Sequence, residues 1–398
     1  MEASITSAVH FDPYDHDLVV DPYPVYRRLR EEAPLYYNEP LDFFAVSRFE
    51  DVSRVLHDHE TFSSAKGDIL EIIRADMEMP SGLLIFEDPP VHPIHRKMLS
   101  RLFTPKRIAA LEPKIRDFCV RALDPLVGTG GFDFIADLGA QVPMRAISML
   151  LGIPESAQET VRDAVDASLR TEAGEPMTQE QLLLDGSALA EYVDWRAKNP
   201  SDDIMSQLIQ AEFTDENGTV RRLTRDEVVI YVTVLAGAGN ETTGRLIGWA
   251  GKTLADHPEQ RQELAEDPSL IPNAIEELLR LEPPGPFFCR SVTRDVEVHG
   301  TTVPAGSVMM SILAAANRDD RRYEDAERFD IHRKNIQHLS FGGGIHFCLG
   351  NALARLEGVV ALEEILKRFP TWDVDLAAAK LSPTSTVRGW ETLPVTTP

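Results

Sequence analysis

The sequence predicts a mainly helical protein with small β-sheets, an α+β fold, and three observations carry that prediction. Proline is frequent, at 27 of 398 residues, and many prolines punctuate stretches whose apolar residues recur at helical spacing. Strand-like segments are short and fall mainly in three regions, 35–65, 286–312 and 384–395. No linker, internal repeat or low-complexity tract divides the chain, so its 43% hydrophobic content is expected to build one core in a single domain over 1–398.

The first helix is expected over Pro22 to Glu32, where Tyr23, Val25, Tyr26 and Leu29 cover one face. Leu35 to Asn38 and Phe43 to Ser47 read as a hairpin about Glu39-Pro40-Leu41-Asp42, and Phe49 to Asp58 returns to helix. Residues 66–86 follow no period; with Met77, Met79 and Pro80 they suit either an adaptable apolar binding wall or a plain surface loop. A helix begins after Asp88-Pro89-Pro90 with Pro93 in its first turn, and it sets His92 and Arg96 on one face. From Arg96 to Arg107 every charged residue is positive (Arg96, Lys97, Arg101, Lys106, Arg107), which is either a solvated face or a dock for an anionic partner. Residues 107–212 read as mainly helical with breaks near 128–131, 152–154, 174–176 and 199–200, and Asn217-Gly218 signals a tight hairpin.

Thr224-Arg225-Asp226-Glu227 is a capping box opening a helix that can run to Asp256, a span of roughly 45 Å. Its centre, Ala236-Gly237-Ala238-Gly239-Asn240-Glu241-Thr242-Thr243, is weakened by glycine and by threonines able to bond back to the backbone. Such a weakness is a packing accommodation or a functional kink, and the acid beside a hydroxyl at Glu241-Thr242 favours the kink. Ile271 to Leu281 is a helix stopped by Pro283-Pro284, with Glu277 and Arg280 on one face; a Glu-x-x-Arg taken alone is usually an exposed ion pair. Pro286 to Arg290 is extended, strands follow through Val292 to Val298 and Val308 to Ile312, and Thr384 to Val395 reads as a closing hairpin.

Near the C-terminus, Phe341-Gly-Gly-Gly-Ile-His-Phe-Cys-Leu-Gly350 places Cys348 at the mouth of a long helix, with Leu349, Leu353, Leu356 and Val360 on one stripe and Arg355, Glu357, Glu363 and Glu364 largely off it. Unpaired N–H groups there favour a thiolate, although taken alone the residue reads first as a buried structural cysteine. Cys119, Cys289 and Cys348 are odd in number and widely spaced, which fits neither a disulfide framework nor a Cys-x-x-Cys site and suits a reducing cytoplasm. The formal charge of -24 argues against nucleic acid as a partner. The longest apolar run, Val228 to Gly239, falls short of the roughly 20 residues of a membrane helix, and Met1 to Asp17 lacks the apolar core of a signal peptide. The expectation is a cytoplasmic protein with no membrane partner.

Four separated segments agree in order and spacing with one family. Phe341-x-x-Gly344-x-His346-x-Cys348-x-Gly350 resembles the haem-binding loop of the bacterial cytochromes P450, the haem-thiolate monooxygenases; Ala238-Gly239-Asn240-Glu241-Thr242-Thr243 is similar to their oxygen-activation motif; Glu277-Leu278-Leu279-Arg280 to their structural Glu-x-x-Arg; and Asp88 to His92 with Arg96 to the haem-facing start of a helix. The resemblance covers essentially the whole chain and implies the cytochrome P450 fold, with haem b between the long central helix and the cysteine loop. Cys348 would be the axial ligand of the haem iron, Phe341 would pack beside the sulfur, Gly344 would leave room for the ring, and Gly350 completes the motif. His92, Arg96, Arg290 and His346 would meet the haem propionates. Thr242 and Glu241 would be catalytic, the first bonding O2 and the second relaying protons. Glu277 and Arg280 would be structural, linking their helix to the polar segment 328–333. Val234, Gly237, Ala238, Pro286, Phe287, Thr386 and Val387 match positions that face substrate, with Ala238 also against the haem; Arg74 could hold a substrate carboxylate.

The resemblance further implies hydroxylation, or a related oxidation, of a hydrophobic small molecule such as a terpenoid, steroid or aromatic compound. With no reductase fused to this domain, NAD(P)H would serve indirectly, through a ferredoxin reductase and a ferredoxin docking on the basic face of Arg96, Lys97 and Arg101 of a monomeric protein. A peroxide-driven haem-thiolate oxygenase or a non-catalytic haem binder is the alternative, and loss of the Glu241-Thr242 pair would have favoured it. A cysteine hydrolase is disfavoured because His346 stands only two residues from Cys348 and no orienting acid is evident. A nucleotide loop would need a phosphate-gripping lysine or Gly-x-Gly-x-x-Gly spacing, and the glycine run has neither.

Overall fold

The computed structural model describes residues 9–76, 79, 82–160, 176, 187–382 and 386–398. Met77, Pro80 and Thr384, and most of the break expected near 174–176, lie outside them. Helix α1 (Tyr23–Glu32) buries Tyr26 and Leu29. Strands β1 (Leu35–Asn38) and β2 (Phe43–Val46) pair antiparallel, with Leu35 opposite Val46. Helix α2 (Phe49–His57) then buries Phe49, Val52, Val55 and Leu56, a helical stripe of apolar residues, and leads to the short β3 (Phe62–Ser63).

Helix α3 (Val91–Ser100) carries His92 and Arg96, and α4 (Glu112–Leu123) precedes β4 (Gly131–Asp133), a strand in a place that the sequence marks only as a break. Helix α5 (Val142–Leu151) is buried nearly all round. Phe134–Leu151 is apolar and long enough to cross a membrane by composition, and 67% of it lies inside the protein, which accounts for its hydropathy. The Asn217-Gly218 turn joins β5 (Glu212–Thr214) to β6 (Val220–Arg222).

Helix α6 (Arg225–Asp256) runs 32 residues, about 48 Å at 1.5 Å per residue. Its capping box is formed: Thr224 Oγ1 accepts from Glu227 N at 3.2 Å, and the Glu227 carboxylate accepts from Thr224 N at 2.7 Å. The helix is continuous through 236–243, where the sequence favours a kink. Two of its glycines accommodate packing. A Cβ on Gly239 would stand 3.2 Å from Ile147 of α5, and one on Gly244 would stand 2.7 Å from the Gly139 carbonyl.

Helix α7 (Ile271–Leu281) ends at the double proline and β7 (Phe288–Val292) follows. β8 (Val296–Val298) and β9 (Thr301–Val303) form a small hairpin before β10 (Val308–Ser311). One five-stranded sheet has the order β1-β2-β10-β7-β3, so segments nearly 300 residues apart in sequence share a layer. Helix α8 (Asn351–Arg368) packs on α4, α6 and α7. It differs from the one-sided helix expected, since Glu357 is fully buried and Glu364 nearly so; Glu364 is answered by Arg116 at 2.9 Å and by Arg368.

The closing hairpin is also corrected. β12 (Lys380–Leu381) pairs with β13 (Trp390–Thr392), but β14 (Pro394–Thr396) lies between β11 (Asp373–Val374) and β4 in a separate sheet. Gly131 permits this: a Cβ there would sit 2.2 Å from the Val395 carbonyl.

Candidate functional site

Cys348 stands two residues before Gly350, the N-cap of α8, and is half-buried against the core. Its N–H donates to the Phe341 carbonyl at 2.8 Å, closing the loop, and its carbonyl accepts from Asn351 Nδ2 at 2.7 Å. Burial pushes the thiol up, while the Gly350 and Asn351 N–H groups and the Arg96 and Arg355 guanidiniums act in the opposite sense. Phe341 is buried with the Arg355 guanidinium 4.4 Å from its ring centre. Among the described residues no three His, Cys, Asp or Glu side chains group as a metal site, so Cys348 stands as a single candidate ligand.

The role expected of Gly344 is corrected. A Cβ there would fall 2.5 Å from the Leu56 carbonyl, and one on Gly343 would fall 2.7 Å from the His57 ring, so these glycines seat the loop against the end of α2. The open glycine is Gly350, at φ -84 with no atom within 4 Å of a built Cβ.

His92 and His346 lie with ring centres 4.4 Å apart and planes at 54°. The Nε2 atom of each is buried and lacks a hydrogen-bond partner among the described residues. Arg290, 7% exposed, donates to its neighbour's carbonyl, Cys289 O, at 2.7 Å, and Arg96 donates to Phe347 O. Burial, then Arg96, pushes His92 down to about 4; burial, then His92, Arg290 and Arg96, pushes His346 down to about 3. Asp68, Asp88 and Glu87 lie within electrostatic range, but no described carboxylate bonds to any of the four groups. Buried donors without an anion are costly, and a ligand bearing carboxylates would satisfy them.

Glu277 and Arg280 have no exposed surface. The carboxylate takes two bonds from Arg280, at 2.7 and 2.8 Å, one from Arg333 at 3.0 Å, and one from Asp330 N at 3.1 Å. Arg280 also donates to the carbonyls of Asn317, Ala326 and Arg328. Sequence reasoning passed over the adjacent Glu276, which bonds Arg355 of α8 at 2.6 and 3.0 Å and His338 at 3.3 Å. That pair ties α7 to both ends of the cysteine loop. Glu282 was missed as well; it binds Tyr23, Arg318 and Arg388 at 2.6, 2.8 and 2.6 Å and braces the turn before Pro286. The signal available for both was position, an acid next to a motif or next to a double proline.

On α6, Val234, Ala238 and Thr242 are spaced by one turn each; Ala238 and Thr242 are exposed on a helix otherwise largely buried, and Gly237 is half-buried. Thr242 Oγ1 donates to the Ala238 carbonyl at 3.1 Å. Glu241 is buried on another face, where Arg245 Nη2 bonds its carboxylate at 2.8 Å. Val234 packs in an apolar cluster with Ile69, Ile72, Met79, Leu83 and Phe86. Pro286 is buried, Phe287 and Thr386 are half-buried and Val387 is buried. The Arg388 N–H donates to Pro284 O at 2.7 Å and so brings the 386–388 turn beside Pro284–Pro286. Arg74 is exposed at the end of the short helix Leu70–Ala75.

Comparison with known proteins agrees with this arrangement. The family model described as Cytochrome P450 matches residues 179–375. The chain is 36% identical over 391 residues, 96% of each chain, to "Putative cytochrome P450 123" of Mycobacterium bovis. Cytochrome P450 CYP109Q5 from Chondromyces apiculatus superposes with a TM-score of 0.85 at 34% identity, covering 98% of both chains. A mutant of P450 EryK in complex with erythromycin B gives a TM-score of 0.86 at 34% identity, covering 97% of both. With an identity above one third along nearly its whole length and the same fold throughout, the chain belongs to the cytochrome P450 family of haem-thiolate monooxygenases.

Proposed function

We propose that this enzyme hydroxylates a hydrophobic small molecule with haem b held by Cys348 and electrons delivered by a ferredoxin in the cytoplasm. The single observation that carries the haem site is the group of His92, His346, Arg290 and Arg96 with two orphaned imidazole nitrogens, a receptor for two propionates in which His346 is close in the chain to the half-buried Cys348. Haem supplies the reductive activation of O2 and the insertion of one oxygen atom into a C–H bond.

The chain's residues supply the rest. The Gly350 and Asn351 N–H groups with Arg96 and Arg355 act toward the Cys348 thiolate against the burial that raises its pKa, and Asn351 holds the carbonyl beside it. Gly350, two residues past the sulfur, has no atom within 4 Å of a built Cβ and adds no bulk at the start of α8. Thr242 can turn Oγ1 away from the Ala238 carbonyl and offer its proton into the open space it faces, and the Glu241 carboxyl one residue away can restore that proton. Val234 with its apolar cluster, and Pro286, Phe287 and Val387, buried or half-buried, suit a terpenoid, steroid or aromatic substrate. The similar structure of EryK in complex with erythromycin B supports a small-molecule ligand. Arg74, being exposed, is no longer favoured as a carboxylate anchor.

The test is the spectrum of the reduced protein under carbon monoxide, in which a thiolate-ligated haem gives a red-shifted band. Wild type loaded with haem should show it, and Cys348→Ser should not. A wild-type protein that takes up no haem would overturn the reading. For the distal pair, Thr242→Ala should divert reducing equivalents to peroxide, and unchanged coupling would remove Thr242 from proton delivery.

A further inference from the structure

Arg245 is one helical turn beyond Glu241 and makes three contacts that an ordinary surface pair does not. Nη2 bonds Glu241 Oε1 at 2.8 Å and Ser382 Oγ at 2.8 Å, and Nη1 bonds the Trp390 carbonyl. Both charged side chains are largely removed from water, at 13% and 8% exposure, against 45% for each partner of the i,i+4 pair Arg28–Glu32. The C-terminal hairpin is shaped around this guanidinium. A Cβ on Gly389 would fall 2.7 to 2.9 Å from the Arg245 side-chain carbons, so a larger residue at 389 would displace the arginine stem. Ser382 N donates to Gly389 O at 2.8 Å, which clips the two ends of the turn together. Thr386 and Val387, the candidate substrate contacts, stand three and two residues before Gly389.

We propose that Arg245 is a positioning residue for proton delivery: it holds the carboxylate of Glu241, the residue before Thr242, and ties its orientation to Ser382 and to Trp390, which follows Thr386 and Val387 in the chain. The inference rests on the reading of Glu241 as the acid that supplies the proton. A carboxylate bonded to a guanidinium that is itself held at Ser382 and Trp390 has its orientation restricted, which is what an acid serving the hydroxyl of the adjacent residue needs. A bond from the same guanidinium to the hairpin means that a molecule pressing on 386–387 acts on the acid as well. Substrate contact and proton supply are thereby linked through one side chain.

The experiment uses haem-loaded protein with a plant-type ferredoxin, its reductase and NADPH, no organic substrate being added, and it reads O2 consumption at saturating ferredoxin and the solvent deuterium isotope effect on it. Glu241→Gln should slow consumption and raise the isotope effect. Arg245→Ala should slow it about tenfold, the loss expected of a misaimed rather than a missing acid. Arg245→Lys should recover most of that loss, Ser382→Ala should cost about threefold, and the carbon monoxide spectrum and the rate of the first reduction should stay as in wild type. In the Glu241→Gln background, Arg245→Ala should add nothing, because the group it positions is gone. Slowing by Glu241→Gln with no effect of Arg245→Ala, or strictly multiplicative effects of the two, would overturn the role of Arg245 alone. No slowing by Glu241→Gln would overturn the acid's role and with it the inference. If Arg245→Ala fails to bind haem, Ser382→Ala and Arg245→Lys decide the matter: both indistinguishable from wild type in isotope effect leaves Arg245 purely structural.

Discussion

The Glu277 carboxylate answers two arginines, Arg280 and Arg333, with no exposed surface of its own. Glu277→Gln keeps the shape but leaves both cations without their shared counter-charge, so a loss of about 3–5 kcal/mol is expected from urea unfolding of the haem-free protein. Arg28→Ala breaks a pair with both partners 45% exposed and should cost no more than about 0.5 kcal/mol. The spacing Glu-x-x-Arg was legible in the sequence, but its burial was not, because Asn317, Ala326 and Arg328 supply carbonyls from a distant segment. The glycines divide in the same way. Gly344→Ala sets a side chain at φ +59 against the Leu56 carbonyl and should destabilise the haem-free protein by about 1–3 kcal/mol. Gly350→Ala should change that stability by only about 0.5 kcal/mol, because a Cβ there meets no atom within 4 Å. The run of glycines could be read as room for a ring from the motif alone; only the neighbour α2 shows which glycine is free.

Elements in this protein are joined by carboxylates more than by loops. Glu276 of α7 holds Arg355 of α8 and His338 ahead of the cysteine loop. Burial pushes the Glu276 carboxyl up, but His338 and Arg355 outweigh it and bring it from 4.5 down to about 2. A carboxyl depressed in the folded state stabilises the fold above its unfolded value and loses that contribution as pH falls through the folded one. Wild type should therefore exceed Glu276→Gln in urea midpoint at pH 6, and the gap should narrow between pH 4.5 and about 2. A gap constant across that range would show that the pair contributes through packing alone. Helix starts were legible here because caps are local: Thr224 to Glu227 announces α6 to the residue. The packing at the centre of α6 was not legible: Gly237 and Gly239 weaken it by composition, but what presses on Gly239, and on Gly244 just beyond, is Ile147 and the Gly139 carbonyl, far away in sequence.

At the scale of the whole molecule, long-range pairing is where sequence reasoning stopped: nothing in Gly131–Asp133 announces β14 as its partner, since sheet neighbours 260 residues apart leave no local periodicity. Charge, by contrast, is additive and was readable throughout. The chain carries -24, yet Lys97, Arg101 and Lys106 stand exposed near the loop that bears Cys348, where Arg96 bonds Phe347. Arg107, counted with them in the sequence, is bonded to Asp202 and Gln207 and leaves the patch. An acidic ferredoxin meets two opposed fields, the repulsion of the whole molecule and the attraction of this patch. Their ranges differ. At about 0.01 M salt the screening length is about 30 Å and the net charge is felt; at about 0.15 M it is about 8 Å and only the patch remains. The efficiency of ferredoxin-driven reduction should therefore rise with salt, pass a maximum, and fall as the local attraction is screened in turn. Lys97→Glu with Arg101→Glu should raise the KM for ferredoxin about tenfold at physiological salt and remove the falling limb, leaving a curve that only rises. Retention of the falling limb in that double variant, measured by stopped-flow reduction across the salt series, would place the ferredoxin on another face.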